Sequence, residues 1–567
     1  MITVLSHNIT SPLGTTTAAN YEAVLSGRTS IRQWHEEKGV PGDFYASLFS
    51  SSDYKELSDN GFSRLEQMAL SSIRKAIAEA NIDVKDSRTL LILTTTKGNV
   101  EWLGNEEHPI ERTLPSSSAQ TIAKALGITA TPIVVDNACI SGLSAIITAC
   151  RMLEMGLYDN AIVCGAESQS KFIISGFQSL KAMSPQPCRP FDIERNGLNL
   201  GEAAATLILS RKTKPGKEWR IINGCTRNDA FHLSAPSKNG EGARQALTRC
   251  TLNANKDDIA FISTHGTATL FNDQMESVAI ERAGLNSIPV VGYKGYYGHT
   301  MGACGVLETA LSMYCIDNNI IPATKGFSEI GVSGKIHVTT ENEPTIKKSF
   351  IKMLSGFGGC NATILASKGS YDTSNEQYKP VKTKATHHIH ITNNLIEVDG
   401  STIQVQTTGK PMLTELYKSH VGNYPKFYKM DLLSRLGFIA TELLLSAEDK
   451  ERFTEANDRA VILVGHHGSL LADINYLQSI KNPNDYFPSP ERFVYTLPNI
   501  VTGEIAIRNK YHGETGFYLL DERNDEVINN IISTAFIDSN TKSVIGGWID
   551  CTDNDNFEAD LNIIERI

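Results

Sequence analysis

Short, largely apolar runs recur through the first 366 residues, separated by longer stretches with helical spacing. Leu90–Thr94, Ile133–Val135, Ala161–Gly165, Ala204–Leu209 and Ala260–Ser263 are such runs. A strand apolar on both faces needs both faces covered, which means a sheet layered between helices. Covering helices are legible as well: Phe62–Ala80 carries Leu65, Met68, Ala69, Ile73 and Ile77 at helical spacing. The alternation reads as α/β. It breaks at Ser367–Thr386, which is polar and shows no apolar period, so a linker is expected there.

Beyond the break the pattern returns in the same order. Ser63-Arg64-Leu65 opens a helix ahead of the strand-like Leu90-Leu91-Ile92-Leu93; Ser434-Arg435-Leu436 opens one ahead of Val461-Ile462-Leu463-Val464. Pro115 precedes a helix, a strand around Val134 and a turn at Gly165. Pro498 precedes a helix from about Val501 to Asn509, a strand near Phe517–Leu520 and a turn at Gly546-Gly547. The C-terminal stretch therefore reads as a diverged copy of the first, ending part-way through it. A half-copy of this kind is expected to carry an apolar face that must pack on something.

Composition narrows the class. At 567 residues, 41% hydrophobic and 20% charged, the chain is globular and multi-domain. A formal charge of −10 argues against general nucleic-acid binding. The most apolar stretch, residues 132–155, is broken by Asp136, Asn137, Arg151 and Glu154, so no membrane span is expected, and the N-terminus does not read as a secretory signal. The closest of the ten Cys are 11 apart, which excludes zinc modules and CxxC redox sites. Free thiols in a large chain fit a reducing cytoplasm.

Four segments carry chemistry. In Asp136-Asn137-Ala138-Cys139-Ile140-Ser141-Gly142, an apolar run passes through a tight segment into a helical pattern. Taken alone, Cys139 has a core-thiol reading; at a helix N-terminus it would be poised toward thiolate. In Ser263-Thr264-His265-Gly266, a His ends a buried strand, where sites on α/β folds gather, although a helix-capping His is the plainer alternative. The third, Gly292 to Gly305, holds Lys294 and His299 five apart, with Glu308 beyond; its spacing misses the phosphate-loop pattern. The fourth, Ser355-Gly356-Phe357-Gly358-Gly359, is a flexible turn with one bulky ring.

In this order, with Ser11-Pro12-Leu13-Gly14, Arg189-Pro190-Phe191-Asp192 and Gly201-Glu202-Ala203, residues 1–366 resemble the β-ketoacyl-acyl-carrier-protein synthases, decarboxylating condensing enzymes of the thiolase superfamily. The resemblance implies an α/β thiolase-like fold of two similar halves, residues 1–215 with the nucleophile and 216–366 with the His pair. A linker at 367–385 and a degenerate, non-catalytic half domain at 386–567 would follow. It makes Cys139 the acyl-accepting nucleophile, and His265 and His299 the pair that acts on the enolate during malonyl decarboxylation. Lys294 and Glu308 become a buried charged pair that holds the His geometry. The N–H groups of Cys139 and Phe357 form an oxyanion hole, and the Phe357 ring is a gate. Asp273 and Glu276 order the loop near His265. The substrates ride on the phosphopantetheine of an acyl carrier protein, and no cofactor or metal is implied.

Asn196, Ala268 and Ile140 depart from the family pattern and put the shape of the acyl pocket in question. In the C-terminal copy the nucleophile position falls near Asp521-Glu522, without Cys or Ser. His466-His467 and His387, His388 and His390 lack partner ligands at fixed spacing, so no metal is expected there. The reading is an acyltransferase of a fatty-acid, polyene or polyketide-type pathway, as a homodimer or a heterodimer with a synthase-like subunit. The alternatives are a chain-length-determining partner subunit, or a thiolase or acyl transferase of the same fold.

Overall fold

The structure is a computed structural model describing residues 2–57, 61–212, 218–369, 379–448, 450–482 and 486–567. Fifteen of its strands form three units of five. The first unit holds β1 (Ile2–Thr10), β2 (Thr89–Thr94), β3 (Ile133–Val135), β4 (Asn160–Glu167) and β5 (Ala203–Ser210). The second holds β6 (Trp219–Asn228), β7 (Ile259–Ser263), β8 (Pro289–Val291), β9 (Ser349–Gly356) and β10 (Cys360–Lys368). The third holds β11 (Thr383–Ile391), β12 (Arg459–Gly465), β13 (Thr515–Leu519), β14 (Ser543–Cys551) and β15 (Phe557–Arg566).

Each unit has one topology. In the first, β1 runs antiparallel to β5 and β5 to β4, then β4, β2 and β3 run parallel. The order β6-β10-β9-β7-β8 repeats those directions, and so does β11-β15-β14-β12-β13. The first two units join through β1 and β6, antiparallel, with Ile2 opposite Ile221. The first and third join through β3 and β13, also antiparallel, with Val135 opposite Tyr518. The C-terminal unit thus continues the sheet of the first half.

Helices cover this sheet on both faces. The first unit carries α1 (Arg64–Ala80), α2 (Pro115–Leu126), α3 (Ser141–Glu154) and α4 (Lys171–Ser179). The second carries α5 (Glu241–Cys250), α6 (Leu270–Arg282) and α7 (Cys304–Asp317); the third carries α8 (Leu432–Ala447), α9 (Ile500–Asn509) and α10 (Asp525–Thr534). Ser63 and Glu66 close a reciprocal capping box at the start of α1. Helices α3 and α7 are buried almost throughout, and small residues let them touch: a Cβ on Gly142 would lie 2.9 Å from the Gly305 Cα. No helix among the described residues is long and apolar enough to cross a membrane.

Several expectations need adjusting. Gly165 and Gly546-Gly547 lie inside β4 and β14 instead of at turns. Helix α8 starts at Leu432, ahead of Ser434, because Asp431 caps it by accepting from Leu433 N and Ser434 N. The expected linker is trimmed at both ends: Ser367 and Lys368 finish β10, Thr383–Ala385 begin β11, and residues 370–378 of it lie outside the described residues. One face of the unit's last strand is polar. Apolar β15 side chains (Phe557, Ala559, Leu561, Ile563) face the core under α8, while Glu558 and Asp560 on the other face meet Arg523, His388 and His390. As expected, the unit packs its apolar side on another part of the chain: Tyr518, Ile528, Ile531 and Phe536 join the core of the first unit, and Arg151–Glu514 (2.7 Å), Arg227–Asp538 (2.7 Å) and Lys97–Asp473 (3.1 Å) are ion pairs across the contact.

Candidate active site

Strand β3 ends in Asp136-Asn137, and the chain turns sharply before α3. Ala138 sits at φ 48°, a left-handed conformation that costs an L residue about 1 kcal/mol or more. The turn is held by Ser141, whose Oγ accepts from Asn137 N at 2.8 Å and donates to the Ala138 carbonyl at 2.6 Å. Cys139 stands on this turn, where the thiol environment differs from expectation. Burial pushes its thiol up, the neighbouring Cys304 adds to the rise, and Lys294 opposes it. Loss of water outweighs the α3 dipole, so the resting group is a thiol and not the thiolate that the helix terminus suggests.

The other predicted residues converge on Cys139. His299 Nε2 lies 3.1 Å from Cys139 Sγ, and the His265 and His299 rings meet edge to face with centroids 4.9 Å apart. Met301 N donates to His299 Nδ1 at 3.3 Å, so the neutral ring keeps its proton on Nε2, facing the sulfur. Both imidazoles are held well below their usual pKa, first by burial and then by the charge of Lys294; Lys352 adds to it at both. The backbone of His265 is fixed by Glu276, whose two carboxylate oxygens accept from His265 N and Gly266 N, each at 2.7 Å. Asp273 accepts from Phe191 N at 2.7 Å and Ala268 N at 3.2 Å. Burial raises these carboxyls, Asp273 to about 6 and Glu276 to about 7.

Glu308 pairs with Lys294 and also with a second lysine, Lys352, at 2.6 Å. Two lysines on one carboxylate leave net positive charge behind the His pair, which adds to burial in keeping both rings neutral. Sequence reasoning missed Lys352; its signal was a charge inside the apolar strand run Phe350-Ile351-Lys352-Met353-Leu354. It also missed Glu167, whose carboxyl burial raises to about 7 and which accepts from Gly302 N at 3.1 Å, in the loop after His299.

Phe357 lies on the turn between β9 and β10, and this turn passes close to the nucleophile: a Cβ on Gly356 would lie 3.2 Å from Cys139 N. Cys139, His265, His299 and Phe357 line one cavity of about 410 Å³, walled also by Phe177 and Leu233. Of the three departures, only Asn196 lines it; Ile140 and Ala268 are packed in the core. Cys139, His265 and His299 also present one ligand atom each within 4.8 Å of one another, close enough to hold a metal ion. His466 and His467 are otherwise engaged, with the Leu520 carbonyl and Asp550. In the third unit, Glu522 stands four residues after Tyr518 as Cys139 stands four after Val135, and it is exposed.

Paired thiolase-like halves, with a cysteine on a strand-to-helix turn and two His beside it, fit an acyltransferase of the thiolase superfamily. Residues 1–214 match the family description "Beta-ketoacyl synthase, N-terminal domain" and residues 220–328 "Beta-ketoacyl synthase, C-terminal domain". The chain belongs to the β-ketoacyl synthases. It is 25% identical over 414 residues to the tetracenomycin polyketide synthase ketoacyl synthase alpha subunit of Streptomyces glaucescens, spanning 64% of this chain and 96% of the relative. It is 33% identical over 255 residues to 3-oxoacyl-[acyl-carrier-protein] synthase 2 of Rhizobium meliloti, covering 40% and 59%. Among solved structures, a ketosynthase (ApeO) in complex with its chain length factor (ApeC) from Xenorhabdus doucetiae matches 65% of this chain and 98% of that one, at TM-score 0.56 and 25% identity. The PfaC keto synthase–chain length factor matches all of this chain and 78% of that one, at TM-score 0.77 and 15% identity, a likeness of fold.

Proposed function

We propose that the chain catalyses decarboxylative Claisen condensation of an acyl group carried on Cys139 with a malonyl unit on an acyl carrier protein. The observation that carries this is the neutral His299 Nε2–H, 3.1 Å from Cys139 Sγ, with His265 beside it. As Sγ attacks an acyl thioester, the Cys139 proton goes to the departing phosphopantetheine sulfur, and the His299 N–H stabilises charge on Sγ. In the second half-reaction, malonyl carboxylate leaves as CO₂. The enolate oxygen then takes hydrogen bonds from the two imidazoles, which stay neutral donors because Lys294 and Lys352 stand behind them. The enolate carbon attacks the Cys139 thioester, whose tetrahedral oxygen is held by the Cys139 and Phe357 N–H groups, and Sγ leaves as thiolate, taking a proton from solvent to return to the resting thiol. The Phe357 ring gates the acyl cavity. Both substrates arrive on phosphopantetheine, so the cycle calls on no further cofactor. Ten free cysteines suit a reducing cytoplasm.

The third unit is read as a built-in, non-catalytic partner of the chain-length-factor kind, supported by the keto synthase–chain length factor likeness over the whole chain. It occupies the β3 edge, so a second chain that dimerises docks elsewhere. Intact-protein mass spectrometry after incubation with a panel of acyl-carrier-protein thioesters tests the reading. One acyl mass per chain, absent in Cys139→Ala, is expected; acylation surviving in Cys139→Ala would overturn it.

A further inference from the structure

The third unit touches the gate itself. Asn499, just ahead of α9, is 1% exposed, and its Nδ2 donates to the Phe357 carbonyl at 2.8 Å. One turn on, Gly503 lies backbone to backbone against the same loop: a Cβ there would fall 2.8 Å from the Gly358 Cα. Gly358 sits at φ +88°, and a Cβ on it would fall 2.7 Å from Asn499 Nδ2. From the catalytic halves, Leu233 carbonyl accepts from Gly358 N at 2.6 Å, and Asn228 Nδ2 donates to the Gly358 carbonyl at 2.9 Å. Asn228 is itself held by the third unit, through Thr515 Oγ1 at 3.1 Å. The ring side shows the same dependence. Phe357 faces Phe177 with centroids 6.4 Å apart, and Phe493 of the third unit packs edge-on against Phe177 at 5.5 Å.

We propose that Asn499 is a positioning residue for the Phe357 gate, supplied by the non-catalytic unit to the active site of the catalytic one. Its Nδ2–H ties down the peptide between Phe357 and Gly358, and the loop must break that bond to swing. The site is then complete only when the third unit is docked, so the unit sets how readily the gate opens. This rests on the reading of Phe357 as the gate above.

The test uses the full chain and the alkylation rate of Cys139 by iodoacetamide, with the ratio of CO₂ released to product condensed as a second readout. Losing one neutral hydrogen bond is worth a factor of about five to ten, so Asn499→Ala is expected to raise both by about that much. Asn499→Leu has a similar shape and no hydrogen to give, and is expected to match Asn499→Ala. Lys418→Ala, exposed on the third unit, is expected to leave both at the wild-type value. Wild-type rates in Asn499→Leu would reduce Asn499 to packing and overturn the proposal. If the Asn499 variants do not fold, Gly503→Ala decides, since its Cβ must displace Gly358: a rise supports the clamp, and no rise overturns it. Alkylation needs no acyl substrate. A chain that shows the rise but never condenses would sink the condensation reading and keep the clamp; the reverse result would sink the clamp alone.

Discussion

At the scale of single residues, the site is a contest between burial and charge. Burial keeps Cys139 a thiol and both His neutral, and the Lys294–Glu308–Lys352 cluster keeps the rings from protonating. A thiol whose pKa is raised has a thiolate fraction that climbs about tenfold per pH unit until its pKa is reached. Alkylation of Cys139 is therefore expected to rise steadily from pH 7 to 9, with no step near pH 6.5 from either His; a plateau below pH 8 would show a poised thiolate. Apart from Glu308, which lies inside α7, the residues that the sequence exposed to view (Cys139, His265, His299, Lys294, Phe357) each stand where an apolar run gives way to glycine or small residues. Their placement was legible because sites on such folds sit at strand ends. The electrostatic state of Cys139 was not, because it depends on water excluded by residues far away in the chain. Asn499 gave no signal at all: an Asn ahead of a helix looks like any cap.

At the scale of elements, glycine decides which helices can meet. Neither Gly142 nor Gly305 has a side chain, so α3 and α7 touch through their backbones, and these two helices carry or adjoin the Cys139 and His299 turns. Gly142→Ala forces a Cβ to 2.9 Å from the Gly305 Cα. It is expected to cost about 1–3 kcal/mol of stability and to slow Cys139 acylation, as read by urea unfolding and by mass spectrometry. An unchanged unfolding midpoint would show that the helices can part freely. Strand and helix identity followed from apolar period, so most elements fall where the pattern puts them. Glycine misled at 165 and 546-547: in both places it serves close approach of neighbouring atoms within a strand, the Ala303 backbone in one and the Asp560 carbonyl in the other. The polar face of β15 was legible in the alternation Phe557-Glu558-Ala559-Asp560-Leu561-Asn562-Ile563, which has the period of a half-covered strand.

At the scale of the whole molecule, three copies of one five-stranded unit share a sheet, and only the first two make a catalytic pair. The third copy closes the β3 edge and supports the nucleophile turn, where Asn137 Nδ2 donates to the Thr515 carbonyl at 3.0 Å. A chain ending at Lys368 would leave one edge of β3 open and Arg151 and Arg227 without Glu514 and Asp538. An open strand edge and unpaired buried charge favour association. Light scattering on that truncation is expected to show dimers or larger aggregates; a monodisperse, fully active truncation would make the third unit a passenger. The central claim, that Cys139 carries the acyl chain while the two His drive decarboxylation, is tested most directly by measuring both half-reactions in His265→Ala and His299→Ala. With acyl- and labelled malonyl-carrier protein, each variant is expected to keep detectable acylation of Cys139 while labelled CO₂ release falls by about 10²–10³. Equal loss of acylation and CO₂ release would contradict the account.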